Sequence, residues 1–557
     1  MAYRIPRLAD QYNSPFWVLV SGVLLGLSFP PFPLYGLAWV ALVPVLIRWS
    51  RLPLGWMLLR ETYSTFLVMA AIAGHWVLFH DQALTALTSG LGLLLVPLPM
   101  TLPFILSALV KRRFGTLVGF VALVAMWLAM EFLMTHSPAA LPWLLLGNTQ
   151  AEAMLFNQFA DVAGVGGLTL WLWLLNGALF WLMEARPLPA RVGFGLALAA
   201  LVAAPVFYGN WRLPQLETPT EHVTVGIVQP AIAPKQWADV ASGERVNLLA
   251  SLSNVMLLRE KNTRPADLLV WPETALPVYY DVRRQQELYG RLTAWAADRD
   301  VALLTGAITR YDSAPDLTVE PVVAQRYAEV TPYYNSALLF NAAARTQQYD
   351  KIHMIPFAER VPLVEWRAAL AALGVASGGV GAYGLGDRET VFEVGDHRFG
   401  SLICYESLFG DHARRLVKQG ADFLVVLSQD GWWGNSAGYK QHLALSRLRS
   451  VETRRTVVLS AVTGESGLVH PDGSMTSVAG WMDQKAEIVS VPALTARTYY
   501  TQHGDWIGRY GLFVSTFILL AWLMVLLFFP DWRVPSMRTA TVRQSHVPLA
   551  VRQTTVS

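Results

Sequence analysis

Apolar residues dominate positions 1 to 210, give way to mixed sequence over roughly 212–507, and return once in "RYGLFVSTFILLAWLMVLLFFP". The apolar runs read as membrane crossings near 15–30, 36–48, 63–81, 84–110, 115–135, 163–184, 191–209 and 509–530. Each approaches the ~20 residues that a helix needs to cross a bilayer, the first two being short. The turn between those two, "SFPPFPLYG", is apolar and Pro-rich, so a dip into the membrane is an alternative to leaving it. The first run ends in "FPPFP" without a small-residue cleavage site, and is therefore read as retained.

Over 212–507 the pattern changes to short apolar runs alternating with amphipathic stretches. Strands are predicted at "VTVGIVQP" (223–230), "DLLVWPE" (267–273), "VALLTGAIT" (301–309), "YYNSALLF" (333–340), "ADFLVVLSQD" (421–430) and "TVVLSAVTG" (456–464), and one strand is read from 391 to 403. Helices are predicted at roughly 243–260, 284–298, 408–419 and 437–454. Such alternation argues for a layered α/β domain, in which working residues collect where strands end. The resulting organisation is a seven-span membrane domain (1–211), a layered α/β domain (212–507), a last transmembrane helix (508–531) and a polar tail (532–557) expected to be disordered.

Charge orients this arrangement. Charged residues are only 15% of the chain, against roughly 25% in soluble domains, so part of it belongs in lipid. Arg4 and Arg7 precede the first span; Arg48, Arg51 and Arg60 follow the second. Lys111, Arg112 and Arg113 follow the fourth, Arg186 and Arg191 separate the sixth from the seventh, and Arg533, Arg538 and Arg543 follow the last. The other short loops, 30–36, 81–84 and 136–162, contain no Lys or Arg. The positive-inside rule then puts both termini in the cytoplasm and the large domain outside. Glu131 is the clearest charge embedded in a span, and is read as structural. A net charge of +3, without a basic cluster, gives no reason to expect nucleic acid.

Candidate chemistry sits at three strand ends. "GSLICYESLFGD" holds the chain's single cysteine, Cys404, beside Tyr405 and Glu406. A lone free cysteine is most often a small buried hydrophobe. In an outward-facing domain, however, an unpaired thiol risks oxidation, which favours retention for reactivity. "LLVWPET" ends with Glu273, and "QQYDKIHMIPFAE" carries Lys351 and Glu359. A glutamate can serve as base for a thiol and a lysine can hold an oxyanion, although a turn acid and a solvated lysine would look the same. The 11 His are scattered and there is no second Cys, so neither metal set nor cofactor is expected.

Together, "WPET", "YDKIHMIPFAERVP" and "ICYES" resemble the signatures of the nitrilase superfamily, specifically its membrane-bound branch, the apolipoprotein N-acyltransferase family. Further matches are "GIVQPAIAPKQW" with Trp237, "LPWLLLGNTQ", "QHLALSRLRSVETRR" and "TYYTQHGDW". The resemblance implies an α-β-β-α sandwich inserted between the seventh and eighth of eight spans. It implies Cys404 as nucleophile, Glu273 as general base and Lys351 as oxyanion stabiliser. Glu359 and Glu406 would be carboxylates orienting that set, and Trp237 and Tyr405 would line an acyl or lipid site. The chain departs from the family at Ser428-Gln429-Asp430-Gly431-Trp432 and at Val462-Thr463-Gly464-Glu465, outside the three catalytic positions.

The implied reaction takes an acyl chain from a phospholipid donor, expected to be phosphatidylethanolamine, onto Cys404 as a thioester. It then passes that chain to the α-amino group of a diacylglyceryl-cysteine apolipoprotein. The place is the bacterial inner membrane, with the catalytic domain in the periplasm. The apolar stretch 361–384 and Trp432-Trp433 are read as arms dipping into membrane lipid. A membrane-anchored amidase or nitrilase-type hydrolase would keep the same three residues and release its acyl group to water. A transporter bundle with a dead binding module would need one of them missing.

Overall fold

A computed structural model of the chain describes residues 14–80, 83–137, 140–185, 187–239, 242–260, 266–276, 282–310, 333–341, 346–356, 358–360 and 383–529. The stretch 311–332, most of the 361–384 arm and the tail lie outside these residues.

The membrane part contains α1 (Phe16–Ser28), α2 (Val43–Arg51), α3 (Trp56–Gly74), α4 (Ala83–Leu95), α5 (Pro97–Phe114), α6 (Thr116–His136), α7 (Ala160–Glu184) and α8 (Leu188–Arg212). Six helical segments in the described chain are long and apolar enough to cross a bilayer, the last being Trp506–Phe528; Phe16–Ser28 is a shorter apolar helix. The predicted second span is not one helix. It runs as a 3-10 turn, Tyr35–Trp39, and then α2, whose second residue is Pro44. Backbone groups freed at that break need partners in an apolar bundle. Asn176 of α7 supplies them, accepting from Leu42 N at 2.9 Å and donating to Ala38 O at 2.9 Å. The predicted 84–110 span likewise divides at Pro97 into α4 and α5. Inside the bundle, Arg48 and Glu61 form a bidentate pair at 2.8 Å, a buried charge pair that the apolar pattern concealed. Glu131 accepts hydrogen bonds from Trp127, Leu146 N and Thr169, which fits a structural role.

The domain between α8 and the last helix is built on two six-stranded sheets. The first has the order β12-β1-β2-β3-β4-β5, where β1 is Glu221–Gln229, β2 Leu268–Leu276, β3 Ala302–Arg310, β4 Tyr333–Phe340, β5 Gln347–Asp350 and β12 Lys485–Ala493. The second has the order β11-β10-β9-β8-β7-β6, with β6 Val391–Val394, β7 His397–Ile403, β8 Phe423–Ser428, β9 Val457–Ala461, β10 Ser466–Val469 and β11 Met475–Ala479. Val225, Val270 and Leu304 of one sheet share a core with Phe399, Phe423 and Val425 of the other. Helices α9 (Pro234–Asp239), α10 (Ser242–Glu260) and α11 (Val282–Ala297) lie along the first sheet, burying Leu249, Met256, Leu288 and Leu292 on its outer face. On the second sheet, α12 (Gly410–Lys418) buries Ala413, Leu416 and Val417. This is the α-β-β-α sandwich. The strand read as continuous from 391 to 403 is instead the β6–β7 hairpin, turned at Gly395, whose φ of +56° suits glycine. The chain continues through α13 (Ala437–Thr453) and α14 (Tyr499–His503) to α15 (Trp506–Phe528).

Bundle and sandwich pack directly. Gln441 of α13 accepts from Trp76 Nε1 at 2.8 Å and Trp143 Nε1 at 2.7 Å, and donates to Pro30 O at 2.6 Å and Ala73 O at 2.8 Å. Arg454 donates to Asp161 and Gln158. The two tryptophans read as lipid-dipping arms belong to this junction. Trp433 packs on Trp76 with ring centroids 4.8 Å apart, and Trp432 stacks on His80 at 5.7 Å. Two adjacent exposed-looking aromatics in a loop carry no sequence signal that separates lipid from protein as partner.

Candidate active site

Glu273 is placed by an irregularity in β2. The β2–β3 register shifts between Trp271 and Leu276, and Thr274 takes a φ of +52°. The bulge needs room, which Gly306 of β3 provides: a Cβ there would stand 2.6 Å from Glu273 Cα. Lys351 follows β5 and is fully buried. Cys404 follows β7 as the first residue of a 3-10 turn, Cys404–Leu408, with a φ of +50°. A non-glycine residue held in the left-handed region stores strain, a recurrent property of reactive positions.

These three side chains come together from both sheets. Lys351 Nζ lies 2.7 Å from Glu359 Oε1 and 3.7 Å from Glu273 Oε1. Glu359 Oε2 accepts from Ile355 N at 2.8 Å, so this acid holds the lysine while being held by the backbone. Glu406 acts differently. Its Oε1 accepts from Tyr349 OH at 2.6 Å, Ile352 N at 2.7 Å and His353 N at 3.1 Å, and its Oε2 from Ile403 N at 2.9 Å. It ties the chain just after Lys351 to the chain just before Cys404. Trp237 donates to Thr274 Oγ1 at 3.2 Å, beside the bulge of Glu273. Tyr405 turns toward the bundle, donating to Ala140 O at 2.9 Å and stacking on Trp143 at 6.4 Å.

Electrostatics define the resting state. Burial, and then the Glu273 charge, push the Cys404 thiol well above its ordinary pKa, with Lys351 opposing. Burial also raises Glu273, against the pull of Lys351 and of Asn335. Burial draws the Lys351 ammonium down, but Glu359 and Glu273 together outweigh it and hold the group above its usual range. Cys404 therefore rests as a thiol beside a carboxyl group and a fixed cation. Such a set can transfer an acyl group through sulfur.

Two further groups escaped the sequence reading. Asn335 of β4 donates to Glu273 Oε1 at 2.8 Å, and lies 3.4 Å from Glu359 Oε1. His442 of α13, one of the histidines read as scattered, lies under Cys404 together with Asp430. The ligand atoms of Cys404, Asp430 and His442 all lie within 4.8 Å of one another. Both ring nitrogens of His442 are already committed to hydrogen bonds, Nδ1 to Asp430 Oδ1 at 2.8 Å and Nε2 to Cys404 O at 3.0 Å, so the group reads as a hydrogen-bonded set rather than an open ligand shell. Asn in a strand and His in an amphipathic helix give no local clue to these contacts. The only signal was that both fall in segments already singled out.

The carbon-nitrogen hydrolase family matches residues 224–500, and the apolipoprotein N-acyltransferase N-terminal domain matches residues 21–178. Among curated relatives, the apolipoprotein N-acyltransferase of Chlorobaculum tepidum is 31% identical over 93% of this chain and 98% of its own. That of Geobacter metallireducens is 27% identical over 91% of this chain and 95% of its own. Among solved structures, Nit3 of Saccharomyces cerevisiae, a member of branch 10 of the nitrilase superfamily, is 16% identical with a TM-score of 0.35, over 49% of this chain and 91% of its own. Fold and site thus define a class: a carbon–nitrogen hydrolase sandwich carried on a helical membrane bundle. The chain belongs to the apolipoprotein N-acyltransferase family. It is an enzyme of the N-acyltransferase type and a multi-pass bacterial membrane protein.

Proposed function

We propose that this enzyme moves an acyl chain from a phospholipid, phosphatidylethanolamine being the expected donor, to the α-amino group of a diacylglyceryl-cysteine apolipoprotein. Cys404 carries the acyl group between the two. The observation that supports this most directly is the meeting of the Lys351 ammonium with Glu273 at 3.7 Å, in the electrostatic neighbourhood of a buried thiol.

Because burial keeps Cys404 protonated, deprotonation accompanies attack. Glu273 takes the thiol proton as sulfur bonds to the ester carbonyl carbon, and the negative charge moves to the carbonyl oxygen facing Lys351. Collapse breaks the ester C–O bond, Glu273 returns its proton to the departing oxygen, and lysophospholipid leaves a thioester behind. The acceptor amine then attacks the same carbon and yields a proton to Glu273. The C–S bond breaks from a second oxyanion, and Glu273 reprotonates sulfur. The covalent route replaces one difficult transfer by two easier ones. Glu359 fixes the lysine, Glu406 spaces the two strand ends, and Trp237 and Tyr405 border the acyl site.

The 1–211, 212–507 and 508–531 division puts this chemistry on the outer face of the inner membrane, supported by the alternation of Lys- and Arg-rich ends. Both substrates are lipid-anchored, which accounts for fusing the sandwich to a bundle. Intact mass spectrometry after incubation with phospholipid tests the scheme: an acyl adduct on Cys404 is expected, and it should disappear when diacylated lipopeptide is added, with N-acylated peptide formed. Free fatty acid as the product would favour a hydrolase instead. Cys404→Ser should abolish turnover while the protein still inserts and folds, because a serine hydroxyl is the weaker nucleophile beside the same base.

A further inference from the structure

His442 Nε2 faces Cys404 O at 3.0 Å and Ser407 Oγ at 2.8 Å, while Nδ1 faces Asp430 Oδ1 at 2.8 Å. A main-chain carbonyl only accepts, so Nε2 carries a proton. Asp430 Oδ1 already accepts from Ser428 Oγ at 2.5 Å, as a carboxylate does, so Nδ1 carries one as well. Ser407 does not take that place: its own proton has acceptors in Cys404 O at 2.9 Å and in Ser446 Oγ at 2.8 Å, and Ser446 Oγ itself donates to His442 O at 2.8 Å. Partners on both sides thus assign His442 as an imidazolium, fully enclosed, with the Trp143 ring of the bundle stacked over it at 6.1 Å. Burial pulls its pKa down, but Asp430, the Cys404 carbonyl and Glu273 outweigh burial and leave it above the ordinary histidine value.

We propose that His442, charged between Asp430 and the carbonyl of Cys404, is a positioning residue for the nucleophile. It holds the strained main chain of Cys404 in its φ of +50° and sets a fixed positive charge within 4.8 Å of the group that becomes a thiolate. This rests on the reading of Cys404 as nucleophile. The site then pairs two cations, Lys351 and His442, with Glu273, Glu359 and Asp430. The ionisable groups around the imidazole are Asp430, Glu273 and, within 4.8 Å, the Cys404 thiol.

Single-cysteine chemistry makes the test clean. The full-length enzyme in detergent is followed by iodoacetamide alkylation of Cys404 and by single-turnover thioester formation from phospholipid, both from pH 6 to 8. A hydrogen bond from a charged donor contributes about 1.5–3 kcal/mol, so His442→Gln should slow both reactions by roughly 10- to 100-fold, with little change in the KM for phospholipid. Asp430→Asn keeps the shape and the acceptor but removes the charge that keeps His442 protonated. Without that charge burial draws the imidazole pKa down, and the charged form is lost as pH rises. The variant-to-wild-type rate ratio should therefore fall from pH 6 to 8. If His442→Gln does not fold, Asp430→Asn decides alone. Rates within twofold of wild type in the folded variants, or a ratio for Asp430→Asn that is flat with pH, would overturn the assignment. Wild-type enzyme that forms no thioester would sink the functional reading instead, while the alkylation arm still tests His442.

Discussion

Asn335 Nδ2 donates to Glu273 Oε1 at 2.8 Å, from a strand whose own carbonyl at Asn335 receives Lys351 N at 2.8 Å. One residue of β4 thereby positions both the Glu273 carboxyl and the chain that carries Lys351. Its amide also favours the ionised form of a carboxyl that burial pushes toward protonation. Asn335→Ala removes that support, so the Glu273 pKa should rise further. Since only the carboxylate can accept the thiol proton, thioester formation falls as pH drops through this pKa. The acidic limb should move to higher pH, with a loss of about tenfold or more at neutral pH, the scale of a charge-assisted hydrogen bond. A single-turnover pH profile checks this; an unmoved limb would remove Asn335 from control of the base.

Lys351 should affect both half-reactions, since each passes through an oxyanion. Lys351→Met keeps the aliphatic length and loses the charge. The loss of one such donor typically costs about 10²–10³ in rate. Loading the enzyme with acyl donor first and adding lipopeptide second separates the steps. The same variant also strips Glu273 of the cation that opposes its raised pKa, so the acidic limb should shift upward here too. Thioester formation at wild-type rate would make Lys351 a structural strand-end lysine.

Much of this architecture could be read from sequence because its signals are local. Alternating apolar runs marked β1 to β4, β8 and β9, and the ends of α10 and α13 were read to within a residue or so. Glu273, Lys351 and Cys404 stand out as candidates because each sits in a short, specific motif, although Glu273 lies at a bulge within β2 and only Lys351 and Cys404 follow strand ends. What stayed hidden depends on distant partners. The break in the second span is tolerated only because Asn176, far along the chain, satisfies it. Asn335 and His442 are ordinary residues until the two sheets and α13 bring them to the thiol. The β6–β7 hairpin was concealed because Gly395-Asp396 is short enough to pass as strand interior.

The charge-derived orientation has its own test. Arg112 and Lys485 are both exposed, one at the end of α5 and one on β12. In a Cys404→Ser background, Arg112→Cys should react with an impermeant thiol reagent only after the inner membrane is opened. Lys485→Cys should react once the outer barrier alone is permeabilised. The reverse pattern would move the chemistry to the cytoplasm.

The junction between bundle and sandwich hinges on Gln441, which is buried and has all four of its hydrogen bonds directed at the bundle. Two partners only donate and two only accept, so just a carboxamide in one orientation satisfies them all. Gln441→Leu leaves two indole N–H groups and two carbonyls without it, and each buried group left unpaired costs about 1–3 kcal/mol. Gln441→Glu can still accept from Trp76 and Trp143, but it sets a carboxylate against the carbonyls of Pro30 and Ala73. Both variants should lower the apparent melting temperature in detergent by at least about 5 °C, given roughly 2–4 °C per kcal/mol in domains of 150–250 residues. Gln441→Glu should be no milder than Gln441→Leu, because polarity alone does not rescue a site that needs both donor and acceptor. His442 is the next residue on α13, so acylation should slow along with stability. A Gln441→Glu enzyme that melts and acylates like wild type would show that bundle and sandwich are held elsewhere, leaving Arg454 and its bonds to Asp161 and Gln158 as the stronger bolt.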